Sequence, residues 1–200
     1  MLLTTGQAAE ELGCAITTFR RLIRAEVLPG LAQRGVRVMV PLETVQALKT
    51  RKQAPLEYLD AREIAVLRVD AARPAAEDDR RWVGFSASLR PEELLKALRG
   101  WWRCDAASVA VGGVLPVTLS GYVVAVLTNL EGWERNTQGR HAFPNAVLAG
   151  YVTDLATPVT HLTAPAAGAR AVADLLLGTR LASHSGGAIA YVTANSSPAN

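Results

Sequence analysis

Residues 4–40 of the chain, TTGQAAEELGCAITTFRRLIRAEVLPGLAQRGVRVMV, decide the fold of its first quarter. Thr4 or Thr5 can cap a helix, because a threonine hydroxyl accepts a hydrogen bond from an N–H group of the first helical turn. Apolar residues then follow at helical spacing as far as Gly13. Glycine adopts a left-handed backbone at little cost, so the pattern predicts a short first helix that ends at this residue.

A second, strongly two-sided helix is expected from residue 16 to the Pro29–Gly30 pair. Its apolar residues recur three and four positions apart and are expected to face inward: Ile16, Phe19, Leu22 and Ile23. Hydroxyl and guanidinium groups are left on the outer side: Thr17, Thr18, Arg20, Arg21 and Arg24. Two helices joined by a turn of three or four residues around a glycine are typical of a helix-turn-helix unit.

A short β-hairpin is expected to follow over residues 31–40, with its turn at residues 33–35. Pro41 suits the start of a third helix, because its fixed φ matches the first helical turn. The inner side of that helix is expected to carry Leu42, Val45 and Leu48. Helix, helix, basic hairpin and helix is the order of a winged helix, which places its second helix in the DNA major groove.

This layout resembles that of the excisionase and MerR-like DNA-binding family. The resemblance covers about fifty residues and rests on the runs LTTGQAAEELG, TTFRRLIRAEVLPG and RVMVPLETVQAL. It implies that the second helix contacts bases and phosphates while the hairpin touches the backbone or the minor groove. The implied contact residues are Thr17, Thr18, Arg20, Arg21 and Arg24 on the helix, with Arg34 and Arg37 on the hairpin. One alternative is that the winged helix makes only protein contacts. Another is that the arginines have no ligand and only keep this face of the helix hydrated.

The distribution of charge favours DNA. The first 53 residues hold eight of the 21 lysines and arginines but only four of the 18 acidic residues. The net charge of +3 is therefore located in this part of the chain, and the rest is close to neutral. A localised positive field is what phosphate binding with counterion release requires.

The length of 200 residues suits two domains. We expect a winged helix at residues 1–53, a linker at 54–61, a second domain at 62–194 and a disordered tail at 195–200. In the second domain, strands are expected at residues 63–70, 82–88, 115–119, 122–130, 140–143, 151–155 and 188–192. Helices are expected from residue 90 to Gly100 and at 169–177, a short helical or turn segment at 104–113, a loop at 71–81 and a turn-rich segment at 157–167. This mixture predicts an α+β fold with a small, curved or barrel-like sheet.

The second domain also resembles a known group. The runs ALRGWWR, GYVVAVLTNLEGW, GRHAF and LLLGTRLASHSGGAIAYV are similar to those of the PUA-like pseudobarrels, which include the EVE, ASCH, YTH and SRA domains. The resemblance implies an aromatic pocket that accepts one nucleobase, often a modified one such as 5-methylcytosine. The residues that we expect in this pocket are Trp101, Trp102, Arg103, Tyr122, Trp133, Arg140, Phe143 and Asn145.

The tryptophans give this expectation a physical basis. All four lie in the near-neutral second domain: Trp82, Trp101, Trp102 and Trp133. A base that leaves a duplex loses stacking, and an aromatic face replaces it with about 1–3 kcal/mol. Successive side chains of an extended segment alternate, so Trp101 and Trp102 cannot both point inward. The alternative is that these large aromatics are simply core residues.

The residues that catalysis would need are scattered. The three histidines lie far apart, and no P-loop, dinucleotide fingerprint or Gly-x-Ser-x-Gly motif occurs. We therefore expect no metal, no cofactor and no enzymatic activity. Cys14 and Cys104 fall in different domains, which argues against a disulfide. Apolar runs are broken by glycine and proline, and no signal peptide precedes the first helix, so a cytoplasmic, nucleoid-associated bacterial protein is expected.

The sequence thus predicts a DNA-binding protein that senses or regulates modified DNA and whose partner is double-stranded DNA, with or without methylated cytosine. Two alternatives stay open. The second domain of an ordinary repressor could sense a small ligand or form a homodimer. The chain could also be an excisionase-like architectural factor that bends DNA.

Overall fold

A computed structural model describes residues 1–77, 80–184 and 187–194 of the chain. The described residues form a mixed α+β structure, which confirms the expected class. The predicted tail at residues 195–200 and the acidic pair Asp78–Asp79 lie outside the described residues. None of the described helices is long and apolar enough to cross a membrane. We call residues 1–53 the N-terminal module and residues 62–194 the C-terminal module.

The N-terminal module combines three helices with a small antiparallel sheet. Its elements are β1 (Leu2–Thr4), α1 (Thr5–Leu12), α2 (Ile16–Arg24), β2 (Ala32–Arg34), β3 (Arg37–Pro41) and α3 (Leu42–Lys49). The sheet has the order β1-β3-β2, so β3 pairs with both neighbours. The hairpin and the three helices agree with the sequence prediction. Strand β1 was not expected, since three residues are too few to show a period of two.

The start and end of α1 follow from its sequence. The side-chain oxygen of Thr4 accepts a hydrogen bond from the N–H of Gln7, and the Gln7 side chain accepts one from the N–H of Thr4. This reciprocal pair satisfies two N–H groups that have no partner within the helix. Gly13 ends α1 with a φ of 76°, a left-handed conformation that glycine adopts readily.

Two details of α2 differ from the prediction. Phe19 and Leu22 are fully buried as expected, but Ile16 is 40% exposed and belongs to the surface. At about 100° per residue, Ile16 lies about 60° beyond Phe19 around the helix, which moves its side chain out of the core. The helix also ends at Arg24, before the Pro29–Gly30 pair.

The C-terminal module is organised around a six-stranded sheet. Its elements are β4 (Glu63–Val69), β5 (Arg73–Glu77), β6 (Arg80–Val83), α4 (Pro91–Leu98), α5 (Ala106–Gly112), β7 (Val114–Leu119), β8 (Tyr122–Thr128), β9 (Glu134–Arg135), β10 (His141–Ala142), β11 (Val147–Asp154), β12 (Val159–Leu162), α6 (Ala167–Leu176) and β13 (Ile189–Thr193). The sheet order is β12-β11-β8-β7-β4-β13. β4 and β7 are parallel, and the other neighbours are antiparallel. Among the described residues, β12 and β13 are its edges.

The prediction of a loop at residues 71–81 was wrong, because they contain β5 and the start of β6, which pair with each other. Residues 157–167, which were expected to be turn-rich, contain β12 at the edge of the main sheet. These three strands are short and lie at an edge or in a two-stranded ribbon, where proline is tolerated and no apolar run is needed. The expected strand at 82–88 ends at Val83.

The two modules share one hydrophobic core. Buried side chains of both modules, from Leu3 to Ala194, belong to a single connected cluster. Backbone hydrogen bonds also join them: Leu155 N–H donates to the Val27 carbonyl, and Ala87 N–H donates to the Ala25 carbonyl, both at 2.9 Å. The expected linker at 54–61 is held in place as well, since it contains a 3₁₀ turn at Leu56–Tyr58 followed by a buried Leu59.

Candidate nucleic-acid interface

Four arginines lie on one surface of the N-terminal module, which we call the arginine face: Arg20, Arg24, Arg34 and Arg37. Arg20 and Arg24 come from α2, and they line a groove of about 490 Å³ with Arg37 of β3. Arg34 is the direct partner of Arg37 in the hairpin register. The groove also contains Ile16, which explains why this residue is exposed, and the hairpin tip Val36, which is 97% exposed.

No acidic side chain of the described residues neutralises the charge of the arginine face. All four side chains are exposed, and no carboxylate of the described residues lies within 4.0 Å of any of them. Elsewhere in the N-terminal module, in contrast, Lys49 Nζ lies 3.1 Å from Glu11 Oε1. The free guanidinium groups create a positive field that faces solvent, which favours contact with a polyanion.

The other three expected DNA contacts occupy different positions on α2. Thr17 is exposed on the outer side of the helix. Thr18 is half-buried, and its carbonyl oxygen accepts a 2.9 Å hydrogen bond from the Ser120 hydroxyl of the C-terminal module. Arg21 Nε lies 3.4 Å from Asp70 Oδ2, also in that module. The structure therefore brings Arg20, Arg24, Arg34 and Arg37 together, and it turns Thr18 and Arg21 towards the C-terminal module.

The expected base pocket is not assembled at one place. Phe143 is fully buried in the core. Tyr122 is 4% exposed, and its hydroxyl donates a 3.2 Å hydrogen bond to the Leu48 carbonyl across the contact between the modules. Trp102 packs against the core, and its indole Nε1–H donates a 2.8 Å hydrogen bond to the Leu98 carbonyl. The guanidinium group of Arg80 lies 5.4 Å from the centre of the Trp102 ring. Trp102 and Phe143 belong to neighbouring segments, since the backbone of Trp102 is hydrogen-bonded to that of His141. Tyr122 lies apart from them, at the contact between the modules.

The remaining expected pocket residues differ in exposure and in their contacts. Asn145 stabilises a loop, because its amide donates to the Glu131 carbonyl at 3.4 Å and its own carbonyl accepts from Asn129 at 2.8 Å. Trp133 is 42% exposed and Arg103 is exposed, whereas Trp101 and Arg140 are half-buried. The Nε atom of Arg140 is buried and has no hydrogen-bond partner within the described part of the chain. Four cavities stand out among the described residues, and of the eight expected residues only Tyr122 lines one of them.

A tryptophan that the sequence analysis left out of the pocket does line a cavity. We call this cavity, of about 290 Å³ between β6 and α4, the Trp82 cavity. Its lining is Arg80, Arg81, Trp82, Arg90, Glu92, Glu93 and Lys96. An aromatic ring, cations and two carboxylates thus meet in one place. The run RRW followed by RPEELLK was a usable signal, but Arg80 and Arg81 were assigned to a loop and so were not placed on a strand beside the helix.

A polar cavity separates α2 from the C-terminal module, and we call it the interface cavity. Its volume is about 380 Å³. Its polar lining comes from Arg21, Arg68, Asp70, Thr118, Ser120, Ser183 and His184. A smaller neighbouring cavity contains Cys14 and Tyr122. Burial raises the pKa of the Cys14 thiol and of the Tyr122 hydroxyl, so both side chains favour the neutral form.

A second group of titratable side chains surrounds the start of α5. Burial and, to a smaller extent, the charge of Asp105 raise the pKa of the Cys104 thiol to about 11. The hydroxyl and N–H of Ser108 donate hydrogen bonds to Asp105 and lower the pKa of its carboxyl group. A protonated thiol is a poor nucleophile, so Cys104 is not set up for covalent catalysis. Within the described ranges, no group of three or more His, Cys, Asp or Glu side chains could hold a metal ion.

Comparisons of the chain with protein-family models, with curated proteins and with solved structures find no match.

Proposed function

We propose that this chain binds double-stranded DNA through the arginine face. The observation that carries the proposal is the convergence of Arg20, Arg24, Arg34 and Arg37, without acidic partners among the described residues, on one surface of α2 and the β2–β3 hairpin. The order helix, helix, hairpin and helix supports the proposal, because a winged helix has this order, and we propose the binding mode of the excisionase and MerR-like type. In that mode α2 enters the major groove, and the hairpin lies against the sugar-phosphate backbone.

The chemistry of these side chains fits a duplex. A guanidinium group binds phosphate oxygens or the O6 and N7 atoms of guanine through two parallel hydrogen bonds. Arg20 and Arg24 are one turn apart on α2, so both can reach the same groove. Thr17, exposed on the outer side of the helix, offers a hydroxyl to a base edge or a phosphate. Arg34 and Arg37 of the hairpin supply backbone contacts, which determine affinity rather than sequence preference.

The Trp82 cavity supports a second element of the proposal, the reading of an extruded cytosine or 5-methylcytosine. The exposed part of the indole offers a stacking surface for the ring, and Glu92 or Glu93 can accept a hydrogen bond from the amino group of the base. Arg81 and Lys96 line the same cavity and suit the flanking phosphates. We therefore propose Trp82, instead of Trp101 and Trp102, as the residue that stacks on the base, and a sensor or regulator of modified DNA as the role of the protein.

The test of DNA binding compares two triple variants with equal changes in charge. Arg20→Gln, Arg24→Gln and Arg37→Gln together remove most of the arginine face. Arg62→Gln, Arg103→Gln and Arg135→Gln change exposed arginines of the C-terminal module. Fluorescence anisotropy with a labelled duplex at fixed salt should show that the first variant loses at least about tenfold in affinity and that the second stays near the wild type. Equal losses of affinity in the two variants would contradict the proposal. So would a wild type that binds no duplex at low ionic strength.

The test of base reading uses matched duplexes with cytosine, 5-methylcytosine or an unpaired cytosine at one position. The wild type should prefer the modified or unpaired base. Trp82→Ala should remove that preference but keep the general affinity, and Trp82→Phe should retain part of it because phenylalanine also stacks. A wild type that binds all three duplexes equally leaves an ordinary repressor or an architectural factor as the function.

A further inference from the structure

We infer that strand β12, at one edge of the six-stranded sheet, pairs with β12 of a second copy of this chain and forms a symmetric dimer. The two strands run antiparallel across a two-fold axis, so the sheet continues from one subunit into the other. The dimer does not depend on the proposed DNA binding. The outward backbone groups of β12, its lack of charge and its fit to itself carry the inference.

The hydrogen bonds to β11 show which backbone groups of β12 point outward. Just beyond the end of β12, Thr163 N–H donates to the Ala149 carbonyl at 3.0 Å. Hydrogen-bonded and non-hydrogen-bonded residues alternate along an antiparallel pair, so the N–H and C=O of His161 point towards β11. Those of Thr160 and Leu162 therefore point away from the sheet. Across the residues that the structure describes, these groups have no hydrogen-bond partner.

The edge at β12 lacks the charges that usually protect such a strand. Unpaired edge strands offer their backbone groups to other chains, and proteins commonly prevent this with lysine or other charged side chains. No Asp, Glu, Lys or Arg occurs between Asp154 and Arg170, although these types make up 20% of the chain. The edge strand β2 of the N-terminal module, in contrast, ends at the exposed Arg34. The β12 edge is thus open to another strand.

The side chains at this edge favour a second copy as the partner. Val159 is 46% exposed and Leu162 is 39% exposed. The exposed residues from there to the first turn of α6 are uncharged and mostly small: Thr163, Pro165, Ala166, Ala167 and Gly168. A two-fold axis brings each group close to its own copy, where like charges would repel. A neutral surface is therefore compatible with self-association.

One register lets all the outward groups of two copies pair. A two-fold axis at His161 places Thr160 of each copy opposite Leu162 of the other, and each of these pairs exchanges two hydrogen bonds. An axis at Thr160 would place Leu162 opposite Pro158, which has no N–H, so the Leu162 carbonyl would lack a donor. An axis at Leu162 would place Thr160 opposite Ala164, whose N–H is already bonded within the subunit. Backbone chemistry thus selects the axis at His161.

The size of the contact predicts a weak dimer. β12 has four residues. Interfaces well below the standard size of about 800 Å² per partner belong to weak, transient complexes. We therefore expect a dissociation constant on the order of 10–100 µM. Sedimentation velocity of the full chain at concentrations below and above this range should show the mass rising from that of one chain towards that of two.

Two variants test the edge. Thr160→Pro deletes an outward N–H that has no bond within the subunit, and an edge strand tolerates proline at such a position. Leu162→Lys adds a charge to the edge. Both variants should keep the far-UV circular dichroism of the wild type. Because the axis doubles each loss, both should weaken association by at least about tenfold.

Matched controls separate the edge from general effects of substitution. Thr160→Val keeps the outward N–H. Val111→Lys introduces the same charge at an exposed apolar residue of α5. Both controls should associate within about twofold of the wild type.

A disulfide reports the register. In a Cys14→Ser, Cys104→Ser background, His161→Cys places two thiols opposite each other at a Cα distance of about 4.5 Å, which a disulfide can span. It should cross-link under mild oxidation. Val159→Cys is the control and should not cross-link, because its two copies lie about 13 Å apart along the strands.

Hydrogen exchange shows which amides the second copy covers. Above the dissociation constant, the amides of Thr160 and Leu162 should exchange more slowly than in dilute protein. The amide of His161, which faces β11, should change least. Slow exchange of Thr160 and Leu162 at every concentration would show that another part of the same chain covers the edge, and it would overturn the proposal.

The association data can also contradict the dimer. A wild type that stays monomeric at all concentrations overturns it. So does a dimer that both Thr160→Pro and Leu162→Lys leave intact, since the contact would then lie elsewhere. Growth beyond two chains would contradict a closed pair, and cross-linking through Val159→Cys in place of His161→Cys would contradict the register.

Discussion

The hydroxyl group of Ser120, at the turn between β7 and β8, donates a 2.9 Å hydrogen bond to the carbonyl oxygen of Thr18 in α2. The helix proposed to read DNA is thus held on one side by the C-terminal module and free on the other. Together with the shared core, this contact means that the N-terminal module is not an independent unit on a flexible tether. The position of α2, and so of Arg20 and Arg24, depends on the fold of the whole chain.

The first prediction is a single cooperative unfolding transition. Urea unfolding followed by tryptophan fluorescence, which reports only on the C-terminal module, should coincide with unfolding followed by far-UV circular dichroism. Tyr122→Phe removes the hydrogen bond to the Leu48 carbonyl and should lower the free energy of unfolding by about 1 kcal/mol in both signals. Two separate transitions, or a shift of only one signal, would contradict the shared core.

The second prediction distinguishes core from pocket among the aromatic residues. Phe143 has no exposed surface, so Phe143→Ala should lower the free energy of unfolding by about 3–5 kcal/mol. Under conditions in which the variant is folded, its DNA affinity should be unchanged. Trp133, which is 42% exposed, is the control: Trp133→Ala should change the free energy of unfolding by about 0.5 kcal/mol or less. A change in base preference caused by Phe143→Ala would show that Phe143 contributes to the base pocket.

Local signals in the sequence explain what could be predicted. The capping pair of Thr4 and Gln7 and the left-handed Gly13 are interactions between near neighbours, so the residues themselves define α1. The same holds for α4, which begins at Pro91 after an extended Arg90. The apolar runs of β7 and β8 are buried along their whole length, and such runs are recognisable without knowledge of the partner strand.

Contacts between distant segments explain what could not be predicted. The resemblance to the PUA-like domains grouped eight residues into one pocket, but Tyr122 lies against α3 and Phe143 lies in the core. Trp82 meets Lys96 only because β6 pairs with β5 and packs beside α4. The orientation of Arg21 towards Asp70 depends on the docking of the two modules. No periodicity within one segment contains this information.

The third prediction concerns the reactivity of Cys104. With a pKa of about 11, about one thiol in a thousand is ionised at pH 8, so alkylation by iodoacetamide should be slow in the native state. The rate should rise about tenfold per pH unit as the pH approaches 11. Because folding raises this pKa, the associated stability is present below the ordinary thiol pKa and is lost as the pH rises through 11.

Mass spectrometry of a Cys14→Ser background measures this rate at one thiol. Asp105→Asn should speed the reaction at pH 8, because it removes the neighbouring negative charge while asparagine still caps α5. The unfolded chain in urea supplies the reference rate of a free cysteine. A native rate equal to that reference would show that burial does not protect the thiol.

The fourth prediction separates phosphate contacts from base contacts on the proposed interface. Arg37 of the hairpin is expected to pair with a phosphate, so Arg37→Gln should reduce the slope of log affinity against log salt by about 0.9 and weaken all duplexes equally. Thr17 is expected to meet a base edge, so Thr17→Ala should leave the slope unchanged and alter the ranking of different duplexes. Anisotropy titrations at four salt concentrations with a small panel of duplexes measure the salt slope and the ranking of the duplexes. Arg103→Gln is the control, because it removes the same charge from the C-terminal module. If Arg37→Gln and Arg103→Gln reduce the slope to the same extent, the salt dependence reflects net charge alone and the hairpin makes no specific phosphate contact.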